Sequence, residues 1–265
     1  MDDPILHQSL PLKPWMAPNP ERLPGLSPIP LAEWLVRDEC FGAQMALRDQ
    51  LIRNQRSNVL SVPKGVSRVS HELLAMVRSA VGIPYGAKNW QRADGVSVDL
   101  HDDEHPLVTA GRLVQEDFAI LDQQGDDWHL AEGLICFPSS WTVAQKTGRP
   151  LFDVHKPVST YTENISTRIN RILSNLQSDM VLMRANFLIY TDPSLHQPRL
   201  EGVEKPIDPH VPRFVRVERQ TLRRLPESQA AVFTIHTYQV GASQLPGAEF
   251  DRLAELRPHL VENAN

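Results

Sequence analysis

The apolar residues of this chain change their spacing near residue 90, and that change restricts it to a fold with both helices and an antiparallel sheet. Before the change the spacing is helical. Trp34 and Leu35, then Ala43, Ala46, Leu47 and Leu51, predict two helices within residues 31–56, broken near Gly42. Val69, Leu73, Leu74, Val77 and Val81 predict another over 67–81, stopped by Gly82 and Pro84. Afterwards Val96, Val98 and Leu100 alternate as in a half-buried strand, where the sheet is expected to begin. Residues 118–121 and 128–137 predict a hairpin across the turn formers of 122–127. Three more strands are expected at 181–190, 214–219 and 230–238. Between hairpin and strands, Ile165, Ile169, Ile172, Leu173 and Leu176 share one face of a helix over 161–176, with Thr160 and Glu163 as a capping box.

Eight of the 22 prolines fall in the first 30 residues, so regular structure is blocked there. Trp15, Met16, Leu23 and Leu26 would anchor this arm to the body. At the other end, Phe250, Leu253 and Leu256 predict one short amphipathic helix. The expected division is a Pro-rich arm and helical layer over 1–90, a sheet domain over 91–240, and a tail with a short helix over 241–265. A net charge of -5 lacks the basic footprint of a nucleic-acid binder. No apolar run is long enough to span a membrane, and Met1-Asp2-Asp3-Pro4 is no signal-peptide start, so a cytoplasmic location is expected. Cys40 and Cys136 make neither a disulfide framework nor a four-thiolate zinc site.

The familiar phosphate-loop, dinucleotide, serine-hydrolase and zincin motifs are absent. His101-Asp102-Asp103-Glu104-His105 reads either as a metal site or as a solvated loop before Pro106. His155, after Leu151, Phe152 and Val154 and before Pro157, is a ligand or a turn-capping residue. His236 alternates onto the face of Thr234 and Tyr238, away from Phe233 and Ile235, in a supporting or solvent-facing role. Along residues 216–224, Arg216, Glu218 and Gln220 point one way while Val217, Arg219 and Thr221 point the other. That strand is either a salt-bridged surface or a polar cavity wall. Gln115, Glu116, Asp117, Arg184 and Asn186 invite the same two readings.

The order of two strands, short helical turns, a long helix and three strands resembles a PAS domain, an antiparallel sheet with helices on one face. The run 146–155, containing Gly148-Arg149-Pro150-Leu151, is similar to a segment of that fold. A more specific likeness is carried in order by Gly111-Arg112-Leu113-Val114-Gln115-Glu116-Asp117-Phe118, Cys136-Phe137-Pro138-Ser139-Ser140-Trp141, Lys146-x-Gly148-Arg149-Pro150-Leu151, His155-x-Pro157-Val158, Arg184-x-Asn186, and the run from Arg216 to Pro226. Together these resemble the haem-dependent oxidative N-demethylase alpha-subunit family. Phe187 stands where that pattern favours Trp, and Ser159-Thr160-Tyr161 where Pro-Gly-Tyr is usual.

The resemblance implies an α+β chain with a PAS-like haem b domain, preceded by the helical layer and arm. It implies a monooxygenase that uses dioxygen to demethylate small secondary amines such as dimethylamine, releasing formaldehyde. His155 would be the axial iron ligand, with Arg184, Arg224 and Tyr161 also at the cofactor. Arg216 and Arg219 would pair with propionates or assist oxygen activation, and Glu218 would hold the alkylammonium or relay protons. Tyr161, Trp141 or Phe187 would offer the amine an aromatic face. Lacking flavin and nicotinamide motifs, the chain would take electrons from a separate reductase using NADPH. The second reading is a PAS-like haem or small-ligand sensor, or a non-catalytic subunit.

Overall fold

The computed structural model describes residues 4–20, 23–63, 65, 67–101, 103–158, 160–203 and 211–258. Before the sheet proper come β1 (Ser27–Ile29), α1 (Phe41–Asn54), α2 (Arg56–Val59), β2 (Leu60–Ser61) and α3 (Arg68–Ala80). A small hairpin, β3 (Asn89–Gln91) with β4 (Ser97–Asp99), is followed by α4 (Pro106–Gly111). Next come β5 (Asp117–Gln124), β6 (Asp127–Leu134), α5 (Val143–Lys146), α6 (Leu151–Val154) and α7 (Glu163–Asn175). The chain continues through β7 (Val181–Tyr190), β8 (Phe214–Arg224), β9 (Ala231–Gly241) and α8 (Gly247–Leu256). Seven strands form one antiparallel sheet in the order β1-β7-β8-β9-β5-β6-β2.

Alternation along the strands assigns each side chain to one of two faces. Phe118, Ile120, Leu134 and Val232 share an apolar cluster with Trp34, Leu51, Leu73, Val77 and Leu107. Their neighbours Ala119, Leu121, Leu130 and Ala231 belong to a second cluster with Leu151, Leu173 and Leu176. Helices therefore cover both faces. Gly111 brings α4 close to β6, because a Cβ there would lie 2.1 Å from Leu134 Cδ2. Trp15 of the arm is fully buried against Phe187, and its indole N–H donates to the Glu249 carbonyl of α8 at 2.9 Å.

Several boundaries differ from the sequence reading, each for a tertiary reason. The strand expected around Val98 exists but pairs only with β3, outside the main sheet. Residues 34–40 are not helical: Val36 N–H donates to Glu116 and Asp38 N–H to Gln115, while the Glu33 and Trp34 carbonyls accept from Arg219. Backbone groups held that way are unavailable to a helical ladder. Gly42 consequently sits inside α1, and between residues 31 and 40 the chain forms just a short 3-10 turn, Leu31–Glu33. The cap of α7 is Thr162, whose Oγ1 accepts from Ile165 N–H at 3.4 Å, rather than Thr160. The arm is not wholly irregular, since β1 adds an edge strand to β7. Among the described residues no helix is long and apolar enough to cross a membrane.

Glu132 of β6 is 2% exposed, accepts from the Ser67 hydroxyl that also caps α3, and has a buried second oxygen without a partner among the described residues. Burial raises its carboxyl above the ordinary range, with the Ser67 and Ser70 hydroxyls opposing. A carboxyl raised on folding favours the native state fully only below its unfolded value of about 4.3, and that contribution is lost as pH climbs through the folded value. Glu132→Gln is therefore expected to match or exceed the parent in urea-unfolding free energy at pH 8, with a shallower stability loss between pH 5 and 8.

Candidate functional site

The register of β7, β8 and β9 builds a polar surface on the α6–α7 side of the sheet. Arg184 lies opposite Gln220, Asn186 opposite Glu218 and Leu188 opposite Arg216, while Glu218 and Arg216 face Thr237 and Gln239 of β9. Even-numbered residues of β7 and β8 thus gather on this face, and odd-numbered ones on the other. Glu218 is 5% exposed. One oxygen accepts from the Ser139 hydroxyl, the other from Gln220 Nε2 at 3.0 Å, and Arg216 Nε lies 3.6 Å away.

His155 follows α6, and the fold presents it ligand-like. Its Nδ1 lies 2.8 Å from the Leu151 carbonyl, so the proton sits on Nδ1 and Nε2 keeps its lone pair. Its ring stacks on Tyr161 with centroids 4.3 Å apart and planes 13° from parallel. Burial pushes the imidazole below its usual range, and the charges of Lys146 and Arg184 push the same way, so the neutral form prevails at pH 7. Burial also lowers the Arg184 guanidinium, with Glu218 opposing. Arg184 makes no side-chain hydrogen bond among the described residues, and Asn186 Oδ1 is buried without a partner. Burial raises the Tyr161 phenol, with Ser166 opposing.

Other residues singled out by sequence lie elsewhere. Arg219 projects to the opposite face and donates to the Glu33 and Trp34 carbonyls, which separates it from Glu218. Arg224 shares the polar face but sits at its end, donating to the carbonyls of Leu173, Leu176 and Gln229 and covering the Trp128 ring. Arg216 is fully buried, with donors directed at the carbonyls of Leu195 and Phe137. Phe187 is on the arm side against Trp15, away from Arg184. In the His101–His105 run, His105 Nδ1 caps α4 by accepting from Leu107 N–H at 3.2 Å, and Glu104 pairs with Arg56 at 2.6 Å, so the imidazoles do not converge. Asp102 and Ser159 fall outside the described residues. A cavity of about 400 Å³, lined in part by Arg37, Phe41 and Trp90, includes none of the predicted site residues.

A family model described as haem-dependent oxidative N-demethylase, alpha subunit-like, matches residues 25–260. The chain belongs to this family. The haem-dependent oxidative N-demethylase alpha-subunit-like description is that of an oxidoreductase, and the polar face fits the prosthetic group it names. A neutral imidazole with its far nitrogen anchored is the donor haem iron takes, and an unpaired guanidinium suits a propionate. Ser139 and Lys146 escaped the sequence reading as site residues. Both lie in the 136–151 motifs, but strand alternation does not extend there; the Ser139 hydroxyl bond to Glu218 and the Gly148 N–H bond to the Leu130 carbonyl tie that loop to the sheet.

Arg224 is 7% exposed and serves the fold by closing the C-terminal end of α7. Arg224→Met keeps the bulk but strands buried carbonyls, with an expected cost of about 2–4 kcal/mol. Denaturant titration should show that loss while the folded variant keeps parental haem content. Normal stability with haem loss would instead assign Arg224 to the cofactor.

Proposed function

We propose that this chain is the haem-binding, dioxygen-using component of an oxidative N-demethylase for small secondary amines such as dimethylamine. The observation that carries this reading is the His155 imidazole, half-buried, neutral and anchored through Nδ1 to the Leu151 carbonyl, with Nε2 left to bind iron. The strand order β6-β5-β9-β8-β7 within the sheet supports a PAS-like arrangement around it. Haem b, when bound, supplies the activation of dioxygen and the oxidation of an N-methyl group that leaves as formaldehyde.

The chain's own residues bind and orient. His155 holds the iron, and Tyr161 fixes the plane of its ring. Arg184 offers its guanidinium to a propionate. Glu218, held by Ser139 and Gln220, is a preset acceptor for an alkylammonium or a proton, with Arg216 locking the Phe137 and Leu195 loops beside it. Electrons come from a partner reductase that uses NADPH, a reading supported by the alpha-subunit description and by the missing flavin and nicotinamide motifs. A second reading, a haem- or ligand-binding subunit without turnover, draws on the hydrogen bonds that already occupy both Glu218 oxygens.

Two substitutions test the residue assignments, and turnover separates the readings. His155→Ala should fold but lose the Soret band and haem stoichiometry of the parent; an unchanged spectrum removes His155 from the iron. Glu218→Gln should keep haem and bind dimethylamine at least about a hundred-fold more weakly by spectral titration, as for a buried charge losing its partner. Parental amine binding by that variant returns Glu218 to a purely structural role. Formaldehyde production with a reductase and NADPH decides for the enzyme, and its absence from haem-loaded, amine-binding protein decides for the binding subunit.

A further inference from the structure

On the face of the sheet away from His155, four sequence-distant segments meet around Asp38. His7, Asp38 and Cys40 each bring one potential ligand atom within 4.8 Å of the other two. His7 and Cys40 are buried, and the Asp38 side chain is 11% exposed. Asp38 Oδ2 lies 2.8 Å from His7 Nε2 and 2.8 Å from His236 Nε2 of β9. Its other oxygen accepts from Cys40 N–H at 2.9 Å and Gln115 Nε2 at 2.8 Å. The far nitrogen of His7 sits against the Gln239 backbone, 3.1 Å from N and 3.3 Å from O, and that of His236 is 3.2 Å from Glu116 Oε1. Cys40 Sγ is 3.4 Å from the Leu6 carbonyl.

The outer imidazole nitrogens are thus held by protein groups, and the potential ligands converge; without an ion they satisfy one another, His7 Nε2 donating to Asp38 Oδ2 and Cys40 Sγ lying against the Leu6 carbonyl, so an entering ion shifts the His7 proton to Nδ1, 3.3 Å from the Gln239 carbonyl, and releases the thiol proton to solvent. Anchoring of the outer imidazole nitrogen by backbone or carboxylate is what fixes histidines at metal centres. An imidazole, a carboxylate and a thiol on one small volume suit a borderline-soft divalent ion better than a hard one, which would take oxygens alone. A surface ion pair would need none of this burial. We propose that His7 Nε2, Asp38 Oδ2 and Cys40 Sγ bind a zinc-class divalent cation, with His236 and Glu116 holding the Asp38 carboxylate in place. The ion would act as a staple. It fastens the arm, through His7, to the segment entering α1 and, through the Gln239 and His236 contacts, to β9. This site is separate from His155 and does not depend on the haem assignment.

The test uses the full chain, depleted of loosely bound metal and titrated with Zn²⁺ against a chromophoric chelator. One equivalent should bind with a Kd below about 1 μM, as structural zinc sites do. Cys40→Ser and His7→Gln should each weaken that uptake by more than the roughly 10–100-fold typical of losing a group that merely supports a ligand, leaving the Soret spectrum unaltered. No uptake by the parent, or uptake unchanged in both variants, overturns the site. X-ray absorption at the zinc edge of the parent keeps the question decidable if either variant fails to fold. One sulfur at about 2.3 Å is expected, and a first shell without sulfur overturns the Cys40 assignment.

Discussion

A guanidinium cannot shed its charge in a protein interior, so each buried arginine must be surrounded by acceptors. Four arginines meet that demand here largely with backbone carbonyls. Arg48 bonds Asp117 and the Gln115 carbonyl; Arg216 takes Leu195 and Phe137; Arg219 takes Glu33 and Trp34; Arg224 takes Leu173, Leu176 and Gln229. Those carbonyls belong mainly to loops and helix ends, where the backbone lacks a ladder partner. The arginines therefore turn a sheet into a frame to which irregular chain is pegged.

The same requirement shapes the candidate site. With Arg216 committed to two carbonyls and Arg224 to three, the polar face of β8 keeps few groups free for a ligand. Arg184 on β7 is a cation on this face without a hydrogen bond among the described residues, and Glu218 is the carboxylate beside it. His155, at the C-terminal end of α6, lies near enough to this surface for the Arg184 charge to act on its imidazole. Asp117 is the counterpart on the hairpin: it accepts from Arg48 and from the N–H groups of Cys136 and Phe137, each at 2.8 Å, and so aims the 137–141 loop that delivers Ser139.

The opposite face carries a different economy. Around Asp38 the contacts join residues near positions 7, 38, 116 and 236, where burial alone would push the His236 imidazole down but Asp38 and Glu116 outweigh it and raise it above its usual range. Asp38 is likewise held well below the usual carboxylate range, because hydrogen bonds from His236, His7 and Gln115 outweigh its burial. One sheet thus separates two polar clusters, His155 with Arg184 and Glu218 on one side, His7 with Asp38 and His236 on the other.

Sequence periodicity alone determined the elements whose burial is one-sided: α3, α7, α8 and the strands β5 to β9 all lie where spacing predicted them, to within a few residues at their ends. Parity alone also placed Arg216, Glu218 and Gln220 together and Arg219 opposite, since alternation is intrinsic to a strand. The family likeness was legible because its motifs run in order along the chain. Tertiary structure decided the rest. Residues 34–40 lost their helix to side chains from the turn just before β5 and from β8, β4 left the main sheet, and β1 joined it from within a proline-rich arm. Which arginine is a peg and which is free depends on the carbonyls that arrive from elsewhere, and no spacing along one strand records them. The Asp38 cluster was invisible for the same reason: its members are up to 232 positions apart, and only packing of the arm onto β9 brings them within hydrogen-bonding reach.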